Sequence, residues 1–342
     1  MNKGMKCFLE IIGVAIITGI IAMSSPLNPY LDLPLSDLER EILDIAHSVR
    51  EGYLAYVELD GHYGPVLYEF FGLGYLLTDT HIIQFIMETV VIFIGVYFMY
   101  QTAKLYTVDI LAMVTAGAIS IFAWGEVTNA GAEELTFILL ALTGYHFARQ
   151  MKEGYLPHLT YRLAIDAGLI FFLQPGYIFI WIVLIVFLAI KFKLEGLSGK
   201  KYAGYYTGIL EGLLTVGVPM GIYLFYFKNH QAFLSKVVLY NFNNMGSFAD
   251  GLKATVGSPW AISVFVFLLV IIIKGLTGNN VTDLCLWLGF ILVAWAVIAL
   301  QGDNLYTYKV MAKALYVVPV ASLLSFVGKP QKDTEIFAEA KE

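Results

Sequence analysis

Long apolar runs alternate with short polar connections along almost the whole chain. A helix needs about 20 residues to cross the hydrocarbon layer of a bilayer, and shorter runs cross only where neighbouring helices shelter them. On this rule the pattern predicts about ten membrane-spanning helices. They run near residues 7–23, 81–103, 108–124, 134–148, 159–174, 176–190, 205–227, 259–273, 281–300 and 310–327. We therefore expect an all-α polytopic membrane protein, with one transmembrane domain over 1–328 and a short cytoplasmic tail over 329–342.

The distribution of charge predicts the orientation of these helices. With the N-terminus inside, most lysines and arginines fall in cytoplasmic segments, as the positive-inside rule requires, and most loop carboxylates fall outside. The run from Cys7 to Met23 resembles a signal-peptide core, but it is longer than most such cores and lacks a good cleavage site. It is therefore interpreted as a retained first span. We expect a multi-pass membrane protein with both termini in the cytoplasm. Its expected setting is a bacterial inner (plasma) membrane, with the endoplasmic reticulum as the alternative.

Composition agrees with a lipid environment and narrows the partners. The 342 residues are 58% hydrophobic and 14% charged, with a mean hydropathy of +0.72. This is more apolar surface than one water-soluble core of this length could bury. The net charge of −6 argues against nucleic acid, and two cysteines inside apolar runs exclude a disulfide framework. Membrane lipids and small polar substrates are the expected partners.

Residues 24–80 form the longest stretch that is neither a span nor a simple hairpin, and loops of this length are usually functional. Ser36 to Glu39 reads as a capping box, and Gly52 supplies a helix stop. Apolar positions between them recur at helical spacing: Leu38, Ile42, Ile45, Ala46 and Val49. The pattern predicts an amphipathic helix in the plane of the membrane interface. A second semi-apolar piece, over 65–77, is too short to span and is expected on the outer surface.

The end of this loop resembles a motif of GT-C glycosyltransferases. Many of these proteins, including protein O-mannosyltransferase relatives and bacterial cell-envelope transferases, have a pattern like G-x-x-P-Y-x-D-x-x-D-H-K-G-P. This chain reads Gly52-Tyr53-Leu54-Ala55-Tyr56-Val57-Glu58-Leu59-Asp60-Gly61-His62-Tyr63-Gly64-Pro65. Five positions match at the same spacing, namely Gly52, Tyr56, His62, Gly64 and Pro65, and Glu58 replaces an aspartate. Gly61 and Tyr63 depart from the pattern, which usually has aspartate and lysine there.

The resemblance implies a GT-C-like fold whose catalytic first outer loop spans 24–80. It also implies transfer of a sugar from a polyprenyl-phosphate donor to a glycan, lipid or protein acceptor on the outer side, with inversion. Such a reaction needs a carboxylate to take the acceptor's proton, and cationic or hydrogen-bonding groups for the leaving phosphate. Asp37 is the first candidate for the base and Glu39 the second, because the capping box gives Glu39 a structural role. An acidic residue in a first helical turn also has the plainer explanation of complementing the helix dipole.

Further residues are candidates for substrate binding in such a reaction, some from the resemblance and others, such as Arg40 and Tyr240, from their own charge or aromatic character: Arg40, Glu58, Asp60, His62, Glu133, Glu134, Tyr240 and Tyr306. Ordinary solvated loops and helix caps would explain the same residues. The predicted outer cations able to meet a phosphate are Arg40, Arg50, Lys236 and Lys309. No cofactor is expected, although carboxylates near His62 leave a weak divalent metal site open.

Two other functions remain compatible with the pattern. A transporter or flippase would use charged residues inside the spans, and Glu88 is the intramembrane acid without a simple explanation. Arg162 and Asp166 stand four residues apart on one predicted helix, so these two can pair with each other. The third interpretation is a catalytically inactive GT-C-like scaffold, since Tyr63 replaces the usual lysine.

Overall fold

A computed structural model describes residues 3–31, 33–256, 259–300 and 312–328, and every regular element in these ranges is helical. This confirms the all-α prediction. The helices are α1 (Lys3–Ala22), α2 (Asp37–Glu51), α3 (Pro65–Gly74), α4 (Ile82–Lys104), α5 (Asp109–Phe122), α6 (Trp124–Val127), α7 (Ala132–Glu153), α8 (Pro157–Leu173), α9 (Ile178–Leu194), α10 (Gly199–Tyr226), α11 (His230–Phe233), α12 (Tyr240–Asn243), α13 (Phe248–Val256), α14 (Pro259–Leu276), α15 (Thr282–Ala299) and α16 (Val317–Leu324). A π-helical segment, Leu234–Leu239, joins α11 to α12.

Among the described residues, five helices are long and apolar enough to cross a membrane: Gly4–Ala22, Ile82–Lys104, Pro175–Leu194, Gly199–Tyr226 and Thr282–Ala299. Several of them present large apolar side chains outward, such as Phe8 in α1 and Ile222 in α10. These helices indicate a membrane protein. The other predicted spans fall on helices that are shorter or more polar over their described length, so the count of about ten stays a prediction. The predicted tail over 329–342 lies outside the described residues.

Basic residues gather at one end of the bundle, which we call the basic face. Lys6 of α1 pairs with Asp109 of α5 at 2.8 Å, and Lys104 of α4 pairs with Glu10 of α1 at 2.9 Å. The C-terminal end of α7 also lies there, because Lys152 Nζ is 4.3 Å from the ring centroid of Tyr106 just after α4, and the end of α9 meets α7 through a bond from Lys191 Nζ to the carbonyl of Gln150. Helix ends predicted to lie on one side of the membrane are thus together in the fold.

The chain reverses between α8 and α9, as proline and glycine at 175 and 176 predict. Pro175–Tyr177 forms a 3₁₀ turn there, and all three of its residues are buried. Before this reversal, α8 packs closely along α10 through glycine. A Cβ on Gly168 would lie 2.9 Å from Val216 Cβ, and one on Gly212 would overlap the carbonyl of Tyr161. Small residues allow such close approach of membrane helices.

Two short helices form the first loop, as the sequence predicts. Ser36 Oγ accepts from the amide of Glu39 at 3.2 Å, and the Ser36 amide donates to Glu39 Oε2 at 2.5 Å, so the capping box is confirmed. Gly52 ends α2 in the left-handed conformation, with φ of 103°. The apolar face of α2 is buried against α3, which begins at Pro65. The first loop is therefore an ordered helical hairpin lying on the spans.

Candidate functional site

The two candidate bases, Asp37 and Glu39, occupy different environments although they are only two residues apart. The Asp37 side chain is fully exposed, and its nearest charged partner is Arg40 at 3.6 Å. Glu39 is buried, with 7% of its surface exposed, and one carboxylate oxygen is held by the Ser36 amide. Asp37 is therefore open to a substrate, whereas Glu39 faces the interior of the protein.

Glu39 lies beside a group of buried carboxyls that we call the carboxyl cluster: Glu39, Glu88, Glu133 and Glu134. Glu88 of α4 and Glu134 of α7 have no exposed surface and interact electrostatically with each other, and none of their four carboxyl oxygens has a hydrogen-bond partner among the described residues. Ser25 adjoins Glu88, and Glu133 accepts from Asn129 Nδ2 at 3.2 Å. The structure thus places Glu88, predicted to lie inside a span, beside Glu133 and Glu134, which were predicted to bind substrate.

Residues 52–65 of the first loop, which we call the motif segment, meet residues 230–243, which lie far along the chain. Lys236 Nζ and Asp60 Oδ1 form an ion pair at 2.9 Å, and His62 stacks on Tyr240 with ring centroids 4.1 Å apart. Asn241 Nδ2 donates to the carbonyl of His62 at 3.3 Å. We call Asp60, His62, Lys236 and Tyr240 the loop junction. Three of these residues were candidates for substrate binding, and the structure brings them together although Asp60 and Lys236 are 176 residues apart in sequence.

Electrostatics keeps the loop junction charged. The hydrogen bond from Lys236 and the positive charge of its ammonium hold the pKa of Asp60 below its ordinary value. The pair is therefore ionised at neutral pH, and it is lost only as the pH falls through that lowered pKa. His62 Nδ1 lies 3.3 Å from the carbonyl of Lys236, so a proton on Nδ1 leaves Nε2 as an acceptor. A carboxylate, an imidazole, an ammonium and an aromatic ring thus share one polar surface.

Buried aromatic residues fix the position of the motif segment. Tyr56 is buried with a positive φ of 70°, and its hydroxyl donates to the carbonyl of Tyr63 at 2.9 Å. The amide of Gly64 donates to the carbonyl of Leu173 at the end of α8, also at 2.9 Å. A Cβ at Gly64 would overlap the carbonyl of Phe172. The matched tyrosine and glycine of the motif therefore anchor the segment to the spans.

The other predicted site residues of the first loop make contacts within that loop. Arg40 is exposed and donates to the carbonyl of Leu35 at 2.9 Å, while Glu58 Oε2 accepts from the amide of Leu54 at 2.7 Å. Arg50, a candidate cation, is instead paired with Glu69 between α2 and α3. Tyr306 and Lys309 lie outside the described residues.

Asp166 does not pair with Arg162, contrary to the simple helical pairing considered for it. Asp166 is buried and its Oδ2 lies 2.9 Å from His146 Nδ1, where it also accepts from Thr143 Oγ1 at 3.0 Å. Trp181 Nε1 donates to the same threonine at 2.9 Å. Arg162 is exposed. Sequence reasoning missed this network because its residues come from three different helices, α7, α8 and α9.

Within the described ranges, no group of three or more His, Cys, Asp or Glu side chains has the arrangement of a metal site. The chain was compared with protein-family models, with curated proteins and with solved structures, and none of these matches it.

Proposed function

We propose that this protein is a membrane glycosyltransferase that moves a sugar from a polyprenyl-phosphate donor to an acceptor hydroxyl. The chemical requirement is a carboxylate that takes the acceptor's proton, together with a cation that stabilises the phosphate as it leaves. Both kinds of group belong to the first loop and to the segment packed against it.

The position of Lys236 is the observation that carries this proposal. GT-C glycosyltransferases usually have a lysine where this chain has Tyr63, and that difference alone would weaken the resemblance. Lys236 Nζ reaches Asp60, three residues before that position, and its backbone carbonyl lies 3.3 Å from His62 Nδ1. An ammonium therefore stands beside the motif, although it comes from a different segment. With 37% of its side chain exposed, Lys236 can contact a substrate phosphate.

Asp37 is the proposed base, with Glu39 as the second candidate. A base must reach the hydroxyl that it deprotonates, and the Asp37 carboxylate is fully exposed at the first turn of α2. Glu39 already accepts the Ser36 amide and is buried beside Glu88. Tyr240 and His62 offer an aromatic face and a hydrogen-bonding ring for the sugar.

A transporter is the second candidate function, and the Glu88 and Glu134 pair favours it. Buried ionisable residues are costly in a membrane and often lie on the path of an ion or proton. Neither carboxyl forms a salt bridge with a described residue. A proton-coupled transporter would depend on this pair, whereas a transferase would depend on the loop junction.

Release of prenyl phosphate by the purified protein in lipid tests the proposal. A panel of polyprenyl-phosphate sugars is incubated with an acceptor mixture, and wild type is compared with Lys236→Met. Removing a group that stabilises the leaving oxyanion should slow release about a hundredfold. Lys253→Met is the matched control, because Lys253 is exposed on α13 and stands outside the loop junction. No release by wild type from any donor, or equal rates in Lys236→Met, would contradict the proposal.

A further inference from the structure

A cavity of about 540 Å³, lined by both polar and apolar side chains, opens on the basic face, at the other end of the bundle from the carboxyl cluster. Its wall includes two lysines from different helices, Lys152 of α7 and Lys274 of α14. The connection between α14 and α15 contributes Thr277, Asn279 and Asn280. Donor groups from three parts of the chain therefore surround one space.

The ammonium of Lys274 is held at the edge of this cavity. Its Nζ donates to Ser325 Oγ at 2.7 Å and lies 5.5 Å from the ring centroid of Phe326. An ammonium carries a full positive charge and three N–H donors. Lys274 is thus positioned by the protein at the cavity wall, with a charge that suits an anionic ligand.

Lys152 stands against aromatic surface without a carboxylate partner in the described part of the chain. Its Nζ lies 4.3 Å from the ring centroid of Tyr106, and no described acidic oxygen is within 4.0 Å of it. Asp283, the acid in the cavity wall, interacts electrostatically with Lys152 but does not form an ion pair with it. A phosphate oxygen would give this ammonium the anionic hydrogen-bond partner that the protein does not provide.

Asn280, just before α15, and the start of that helix add two further features suited to an anion. Asn280 Oδ1 accepts from the amide of Thr282 at 2.9 Å, so its oxygen is occupied and its NH₂ group is the donor that remains. The 18-residue α15 begins here, and the N-terminus of a helix carries partial positive charge. The NH₂ group of Asn280 and the start of α15 thus add a hydrogen-bond donor and partial positive charge to the two lysines.

We propose that this cavity binds a phosphate group, held by Lys152, Lys274 and Asn280, which belongs to an anionic lipid headgroup or to a soluble phosphorylated compound. The cavity lies where helix ends meet on the basic face, a position in which lysines between membrane helices commonly receive lipid headgroups. Asp283 in the same wall opposes the phosphate and limits its affinity. The site is separate from the proposed transferase chemistry and does not depend on it.

Phosphate binding is tested with the full-length protein in phosphatidylcholine nanodiscs. One arm adds phosphatidylglycerol and counts bound molecules by native mass spectrometry, and the other adds glycerol phosphate and measures binding by equilibrium dialysis. Lys152→Gln combined with Lys274→Gln should weaken binding roughly tenfold or more, the scale of lost charge-assisted hydrogen bonds. Lys201→Gln is the control, because Lys201 is exposed on α10 outside the cavity.

Asp283→Asn keeps the test decisive if the double variant folds poorly. Removing the opposing carboxylate should tighten phosphate binding severalfold, and a damaged fold cannot produce that gain. Binding of phosphatidylglycerol alone identifies a lipid headgroup, and binding in both arms identifies a site for free phosphate. Equal binding in wild type, the double variant and Asp283→Asn, or binding by none of them in either arm, would overturn the proposal.

Discussion

Gly64 shows how a single residue determines where the motif segment lies. Its amide donates to the carbonyl of Leu173, and the space where a side chain would begin is filled by the backbone at Phe172. Backbone cannot move aside as the end of a flexible side chain can. Glycine is required here for close approach between two segments, and not for an unusual φ angle.

We expect Gly64→Ala to separate the motif segment from the end of α8. Overpacking of this kind lowers the free energy of unfolding by about 1–3 kcal/mol. The melting temperature in detergent should fall, and protease should cut the first loop faster. Gly217→Ala is the control, since Gly217 lies in α10 and, apart from its chain neighbours and the adjacent backbone of α10, no described atom is within 4 Å of the place that its new methyl group would take. Equal melting temperatures for Gly64→Ala and wild type would contradict this account.

The capping box and the Asp166 network differ in how far sequence reasoning could predict them. Ser36 and Glu39 are three residues apart, so their reciprocal hydrogen bonds follow from local helix geometry and were predicted correctly. Asp166 also has a cation four residues away, but its partners come from α7. Inside a bundle, burial decides between partners, because His146 is enclosed with Asp166 while Arg162 remains exposed.

At the scale of helices, the Asp166 network should hold α7, α8 and α9 together. Asp166→Ala removes the acceptor of His146 and Thr143, and leaving buried polar groups unpaired lowers stability by about 1–3 kcal/mol. Arg162→Ala, on the same helix, should change stability little, because Arg162 is exposed. Thermal unfolding of the two variants in the same detergent measures the difference. A larger loss in Arg162→Ala would mean that the helical pairing of 162 with 166 is the correct one.

The docking of the first loop onto the segment at 230–243 can be tested by cross-linking. Asp60→Cys and Lys236→Cys should join through a short bis-maleimide, because these side chains meet in an ion pair. The exposed Cys7 and Cys285 are first replaced by serine. The control pair is Asp60→Cys with Lys193→Cys. Lys193 lies in the last turn of α9, and the 17 residues of this helix separate its two ends by about 25 Å, so Lys193 is far from the start of α9. Equal yields for the two pairs would exclude the loop junction.

At the scale of the whole molecule, the order of helices and the gathering of basic ends follow from the sequence. Apolar runs predicted the positions of α1, α4, α9, α10 and α15, which are the five helices in the described part of the chain that are long and apolar enough to span. The contact between the first loop and Lys236 could not be predicted in this way. Hydropathy fixes which segments enter the membrane, whereas pairing between distant loops depends on how the helices pack. The motif at 52–65 indicated where to look, and the fold brought the distant residues to it.

The central claim is that an exposed carboxylate of the first loop, Asp37, acts as the base of a sugar transfer. Single-turnover release of prenyl phosphate from a bound donor, with donor binding measured in the same samples, tests it most directly. Asp37→Asn should bind the donor as wild type does and release prenyl phosphate at least about a hundredfold more slowly, while Glu39→Gln retains most of the rate. Unchanged release in both Asp37→Asn and Glu39→Gln would contradict a first-loop base and with it the proposed transferase mechanism.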